Sequence, residues 1–278
     1  MKKSIKQIYL WGGLGNVLYQ INLAYYLHEN GYEVFVNKGL LDYDNKLLRN
    51  SIKIHKGVYK RVDLFIDSTR IGVIDKLKHT DYFYMLMYKM GINFKNFRFF
   101  NHDWPNDIEI LKVNNFLGYF QKTRNISYQL GFTFRTKFKP KLDKELLSLV
   151  NLDSTILIHA RFGDKLDVNQ FDVSYNSLFH IFKSFESIVI VTDDVKNASL
   201  LSFNSDLKFK IIVVCSEDLV DDFYLISSAK TVVISRSSFS WWATEISISN
   251  QKIFQPSPLY IHVDWESFSN KNRIGFES

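Results

Sequence analysis

Cysteine is nearly absent: Cys215 is the only one in 278 residues. A disulfide framework and a cysteine-held metal cluster are therefore excluded. Because it ends the run Ile211-Ile212-Val213-Val214-Cys215, the thiol is expected to be buried and structural rather than a nucleophile. Long apolar stretches are missing too, since no segment approaches the ~20 apolar residues that a membrane span requires. The opening Met1-Lys2-Lys3-Ser4-Ile5 mimics the basic start of a signal peptide but runs into Gly12, Gly13 and Asn16 without a cleavage-type site, and reads as a first strand. The chain is expected to be soluble and cytoplasmic. There are no blocks of like charge. Lys and Arg number 35 against 29 Asp and Glu, scattered along the chain, which fits a solvated surface, an anionic ligand or a membrane surface, and no nucleic-acid partner is expected. Internal repeats and low-complexity segments are also lacking.

What is present is a globular composition, 46% hydrophobic and 23% charged, long enough for one large or two small domains. Ile5 to Leu10 is strand-prone, a glycine-rich turn follows, and Val17 to Asn30 has helical spacing with Gly31 as its stop. Glu33 to Val36 completes a β-α-β unit. Between Asp42 and Asn106 the pattern is irregular and aromatic, and Tyr82 to Tyr88 reads as core or interface. The composition breaks at Phe138-Lys139-Pro140-Lys141-Leu142-Asp143, which sets the expected domains at 1–140 and 141–278. Beyond it, apolar strands at Ile156–Ile158, Ile188–Val191, Ile211–Val214 and Thr231–Ile234 alternate with helices at Tyr175–Phe185 and Asp221–Lys230. That alternation predicts a parallel sheet.

Ligands of open parallel sheets gather at the carboxyl ends of the strands, and four polar clusters fall there. Gly12-Gly13-Leu14-Gly15-Asn16 either lets backbone amides approach a ligand at a helix start or is a plain tight connection. Dinucleotide binding is disfavoured, because Leu18 stands where the third glycine belongs and Val36-Asn37-Lys38 lacks the ribose-binding acid. In His159-Ala160-Arg161-Phe162-Gly163-Asp164, Arg161 can fork onto phosphate oxygens with Asp164 holding it and His159 on base or ribose. The competing reading is a structural Arg-Asp pair. Thr192-Asp193-Asp194 offers Asp193 to the donor edge of a guanine and Asp194 as a helix cap, and it is not a metal-holding Asp-x-Asp. Asp221-Asp222 reads as the acidic first turn of a helix. Ser235-Arg236-Ser237-Ser238-Phe239-Ser240-Trp241-Trp242 places hydroxyls and amides at a helix start, suited to a diphosphate without a cation, with both tryptophans packing helix on sheet.

In this order the clusters, with Leu117-Gly118-Tyr119-Phe120-Gln121 and Asp222-Phe223-Tyr224-Leu225-Ile226, resemble the inverting α1,2-fucosyltransferases of glycosyltransferase family 11. The resemblance implies an α/β, GT-B type fold: two Rossmann-like domains with a cleft between them, an acceptor-binding amino-terminal domain and a GDP-sugar-binding carboxyl-terminal one. It implies transfer of L-fucose from GDP-fucose to the 2-hydroxyl of a galactose-containing acceptor in bacterial O-antigen synthesis. The acceptor would be lipid-linked at the inner face of the membrane, and neither cofactor nor metal is expected. Carried over residue by residue, Gly13, Gly15, His159, Arg161, Asp193, Arg236, Ser237, Ser238 and Phe239 would serve the donor, while Asn16, Arg161 and Asp164 would serve the reaction. Four positions depart from the family pattern: Phe162 replaces its second arginine, Val17 a glutamine, Lys165 a tyrosine and Arg236 an asparagine. Those changes leave GDP-colitose as an alternative donor, and a nucleotide- or sugar-binding protein without activity as an alternative function.

Overall fold

Lys6 is fully buried on the first strand, and its ammonium donates to the Ile110 carbonyl at 2.6 Å, the Val113 carbonyl at 2.7 Å and Asn114 Oδ1 at 3.2 Å. A buried cation is tolerated because its three donors are all met, two of them by carbonyls at a helix carboxyl end. Burial lowers its pKa. That contact ties β1 (Ile5–Tyr9) to the end of α3 (Asp107–Lys112), whose amino end is closed by reciprocal Asn106 and Glu109 bonds.

The computed structural model describes residues 4–41, 57–78, 81, 97–100, 103–122, 126–162, 178–199, 209–257 and 272–277, and the chain divides into two units, Met1–Phe138 and Lys139–Ser278. The expected helix at Tyr175–Phe185 is described only in part, and the aromatic run Tyr82–Tyr88 lies outside the described residues.

In the amino-terminal unit β1 is followed by α1 (Leu14–Glu29), β2 (Glu33–Asn37), α2 (Val58–Arg61), β3 (Ile71–Ile74), β4 (Phe97–Phe100), α3, β5 (Asn115–Gly118) and α4 (Tyr128–Lys137). The five strands pair in parallel, in the order β3-β2-β1-β5-β4. Gly31, at φ +87°, lets the chain leave α1 in the left-handed region without a Cβ penalty. Gly118 is needed for another reason: a Cβ there would meet the Phe100 carbonyl oxygen at 1.8 Å.

The carboxyl-terminal unit runs α5 (Lys144–Val150), β6 (Thr155–Ala160), α6 (Phe179–Phe182), β7 (Ser187–Thr192), α7 (Val195–Ser199), β8 (Lys210–Val214), α8 (Leu219–Ser228), β9 (Thr231–Val233), α9 (Ser238–Glu245), β10 (Lys252–Ser257) and β11 (Arg273–Glu277). Its six parallel strands are ordered β11-β10-β9-β6-β7-β8. Counted from β6 this is the Rossmann order, with the reversal of winding between β6 and β9. Every residue of β6 and β7 is buried, as strands covered on both faces require. One face packs Ile156, Ile158, Ile188 and Ile190 with Phe162, Phe182 and Phe254. Trp241 and Trp242 are fully buried on α9, edge to face at 5.1 Å, in agreement with their expected packing role. The fold class is therefore α/β, with two Rossmann-like units.

The far end of α9 is pinned by Arg273 of β11, which forms a buried ion pair with Glu245 and donates to Thr244 Oγ1 and Gln255 Oε1, both at 2.9 Å. An ion pair buried this completely is costly to break, since either partner alone would remain as an unpaired charge. Cys215 departs from the expected burial: it is exposed. It follows β8, which is an edge strand and only half covered, so an apolar run there does not guarantee an interior position.

Candidate functional site

The reversal point between β6 and β9 brings together residues from both strand ends. His159, on β6, has its Nδ1 2.8 Å from the hydroxyl of Ser235, just beyond β9, and both side chains are buried. Burial, and secondarily the charge of Arg161, push the His159 pKa down to about 3. At neutral pH it is an uncharged imidazole, able to exchange a hydrogen bond but not to supply a cation.

Arg161 follows β6 and remains half-buried. Its Nη1 donates to Ser237 Oγ at 3.2 Å, and the same hydroxyl accepts the Phe239 backbone N–H at 3.3 Å as the amino-terminal cap of α9. One serine thus links the guanidinium to a helix start, where backbone N–H groups and the helix dipole favour negative charge. Ser238, half-buried, opens that helix. Phe239 packs its ring against His159 at 5.7 Å and against Phe223 of α8 at 5.2 Å. Arg236 sits between the two serines and is exposed.

Asp193 follows β7 and is exposed, and its Oδ1 accepts the Phe162 backbone N–H at 2.8 Å. That bond anchors the turn after β6. Phe162 itself, which stands where the resembled family pattern has a second arginine, is buried in the core of this unit, so its ring fills space rather than meeting a ligand. Asp194 caps α7, accepting from Asn197 N at 3.0 Å, as its position predicts. Gly163, Asp164 and Lys165 lie outside the described residues.

One acid was undervalued by the sequence pattern. Asp222 does lie in the acidic first turn of α8. Yet its Oδ1 accepts the Ser216 backbone N–H at 3.2 Å, and burial, with the nearby Asp221 and Asp193 carboxylates, raises its pKa to about 6. A carboxyl poised there beside Asp193 is a candidate hydrogen-bond acceptor for a heterocycle edge. Its signal in the sequence was its place at the head of the Asp222-Phe223-Tyr224-Leu225-Ile226 segment that resembles the family pattern, where no role is assigned to it. Ser235 was likewise overlooked, because nothing in the sequence showed which hydroxyl would face His159.

The remaining candidates belong to the amino-terminal unit. Gly12 adopts φ +88°, Gly13 is the uncapped residue before α1, and Gly15 is buried in its first turn. Asn16, half-buried, accepts through Oδ1 from Gln121 Nε2 at 3.1 Å. Val17 and Leu18 are fully buried; the position of the missing third glycine is thus packed by a side chain. Among the described residues no group of three or more His, Cys, Asp and Glu is set to hold a metal ion. No helix among them is long and apolar enough to cross a membrane.

No protein-family model and no curated protein matches the chain. Among solved structures it is similar to a glycosyl transferase family 9 protein from Veillonella parvula DSM 2008, at 9% identity over 100% of this chain and 88% of that one, with a TM-score of 0.44. It is also similar to E. coli heptosyltransferase WaaC with ADP-2-deoxy-2-fluoro heptose, at 10% identity over 97% and 92% of the two chains and a TM-score of 0.45. WaaC with ADP gives 10% identity over 98% and 92%, with a TM-score of 0.43.

Proposed function

We propose that this chain is an inverting glycosyltransferase of GT-B type that moves L-fucose from GDP-fucose to the 2-hydroxyl of a galactose-containing acceptor in bacterial surface polysaccharide synthesis. The observation that supports this reading most strongly is the Arg161–Ser237 bond, which sets a guanidinium beside the amino-terminal cap of α9 at the Rossmann reversal point. A diphosphate bound there meets a forked cation on one side and helix amides on the other. As the acceptor oxygen bonds to the anomeric carbon, the bond from that carbon to the diphosphate oxygen breaks and its electron pair leaves on GDP. Arg161 and the α9 amides stabilise that developing charge, so the reaction is proposed to need no divalent cation. Asp164 is the candidate base for the acceptor proton. Asp193 and Asp222 suit the N1–H and amino donors of guanine, and neutral His159 a ribose hydroxyl.

GDP-colitose, which carries the same diphosphate and lacks only the 3-hydroxyl of the sugar, is the alternative donor. A panel of GDP-fucose, GDP-colitose, GDP-mannose and UDP-sugars, offered with β-galactosides in the presence of EDTA, separates these readings by product mass. Transfer from GDP-fucose is expected, and Arg161→Ala is expected to lose more than ~100-fold activity without unfolding. Reaction with UDP-sugars alone, or full activity of Arg161→Ala, overturns the proposal. Binding of GDP with no GDP released from any donor would instead mark a binding protein.

A further inference from the structure

Two guanidiniums flank α9: Arg161 at its amino end and Arg273, the first residue of β11, at its carboxyl end. In a parallel β-α-β unit the helix runs against the strands, so α9 starts at the carboxyl edge of the sheet, where ligands bind, and finishes at the opposite edge. Its eight residues, at ~1.5 Å each, put the two ends about 12 Å apart. The helix has no acid in its first turn and no cation in its last. Glu245 instead sets a carboxylate where the helix dipole is already negative. Arg273 supplies the missing cation from another element, and both side chains of the pair are buried.

Arg273 does more than neutralise Glu245. Its Nη2 also donates to Thr244 Oγ1 and its Nη1 to Gln255 Oε1 of β10, both at 2.9 Å, while its guanidinium carbon lies 5.7 Å from the centre of the Trp241 ring. Thr244 Oγ1 in turn donates to the Trp241 carbonyl at 2.8 Å. Thr244, Trp241 and Gln255 are all buried. One planar fork therefore joins three residues of α9 to β10 and β11, a geometry that an ammonium cannot copy. The amino end of the helix rests on longer hydrogen bonds. Ser237 Oγ is 3.3 Å from the Phe239 N and 3.2 Å from Arg161 Nη1, and Ser240 Oγ is 3.3 Å from the Ser237 carbonyl.

We propose that Arg273 is a positioning residue for the diphosphate. By clamping the carboxyl half of α9 it sets the tilt and depth at which the helix presents its first amides and Ser237 beside Arg161. The inference rests on the glycosyltransferase reading, in which α9 receives the diphosphate of the donor. Arg273 stands at the far end of the helix from that ligand and acts through Trp241, Thr244 and Glu245. Donors aimed at a developing charge are effective because they are held in advance, and they lose strength when their support can shift.

The test is calorimetry on the full chain with GDP and with guanosine, in wild type and in Arg273→Lys, which keeps a charge beside Glu245 but not the fork. Guanosine carries the base and ribose without the diphosphate, so the ratio of the two affinities isolates what the diphosphate site contributes. Wild type is expected to favour GDP. Arg273→Lys should bind GDP about tenfold more weakly, the scale of a residue that acts through its neighbours, with guanosine affinity unchanged. A purely structural Arg273 would lower the urea midpoint and leave the ratio as in wild type, which overturns this inference alone. A wild type that binds guanosine as tightly as GDP, or binds neither, overturns the inference together with the reading beneath it. Should Arg273→Lys fail to fold, the double variant Arg273→Met with Glu245→Leu replaces the ion pair by apolar side chains, leaves no lone buried charge, and gives the same decision.

Discussion

His159 Nδ1, on β6, and the Ser235 hydroxyl, just beyond β9, stand 2.8 Å apart where the carboxyl-terminal sheet reverses its winding, with the Phe239 ring against the imidazole at 5.7 Å. Burial, and secondarily the charge of Arg161, keep that imidazole neutral, with its pKa lowered from an ordinary 6.5 to about 3. Below pH 6.5 the unfolded chain takes up a proton that the folded chain refuses, so folding is weakened as pH falls toward 3, by ~1.4 kcal/mol per pH unit.

Asp222 works in the opposite sense. Its folded pKa of about 6, against 3.8 ordinarily, means the folded chain holds a proton that the unfolded chain has released, and stability falls as pH rises from 3.8 to 6. The two titrations nearly cancel in that window. Urea unfolding of Asp222→Asn is expected to uncover the His159 slope between pH 6 and 4, and His159→Gln should remove it. A flat profile in Asp222→Asn would contradict the assignment of His159.

At pH 7, where the Asp222 carboxylate is ionised despite its burial, Asp222→Asn is expected to raise stability by roughly 1 to 3 kcal/mol, because the amide oxygen can still accept the Ser216 N–H. The check is the urea midpoint at constant m-value. If the carboxylate serves guanine, the same variant binds GDP more weakly by calorimetry even as it melts later.

Ser237→Ala removes both the α9 cap and the Arg161 acceptor. A stability loss of ~1 kcal/mol is expected from the cap. The Arg161 contribution is read separately, as a rise in the donor KM with GDP-fucose. Ser237→Thr, which restores a hydroxyl, should recover the stability, whereas equal melting of all three proteins would show that the cap is not formed.

Much of the secondary structure was legible in the sequence. Apolar runs such as Ile188–Val191 and Thr231–Ile234 became the strands β7 and β9, shifted by a residue at most, because a sheet covered on both faces admits little else. Gly31 stopped α1 where the pattern placed it. Local pattern failed where a neighbour distant in sequence decides the environment. The strand-prone pattern of Ile5 to Leu10 carries no sign that Lys6 is buried, because the carbonyls that make its burial tolerable lie at the end of α3, more than 100 residues on. Cys215 reads as core until β8 proves to be an edge. Asp222 reads as a helix start until Asp193 and the Ser216 N–H close around it.

By itself, the sequence determined an α/β chain with polar clusters at strand ends, since hydrophobic periodicity and turn residues act over a few positions and need no partner. Strand order was decided only in three dimensions. Pairing β6 with β9 rather than with β8 is what puts His159 against Ser235 and Arg161 against Ser237, 76 residues apart in both cases. That pairing depends on how helices cover the whole sheet, and no short window of residues carries it.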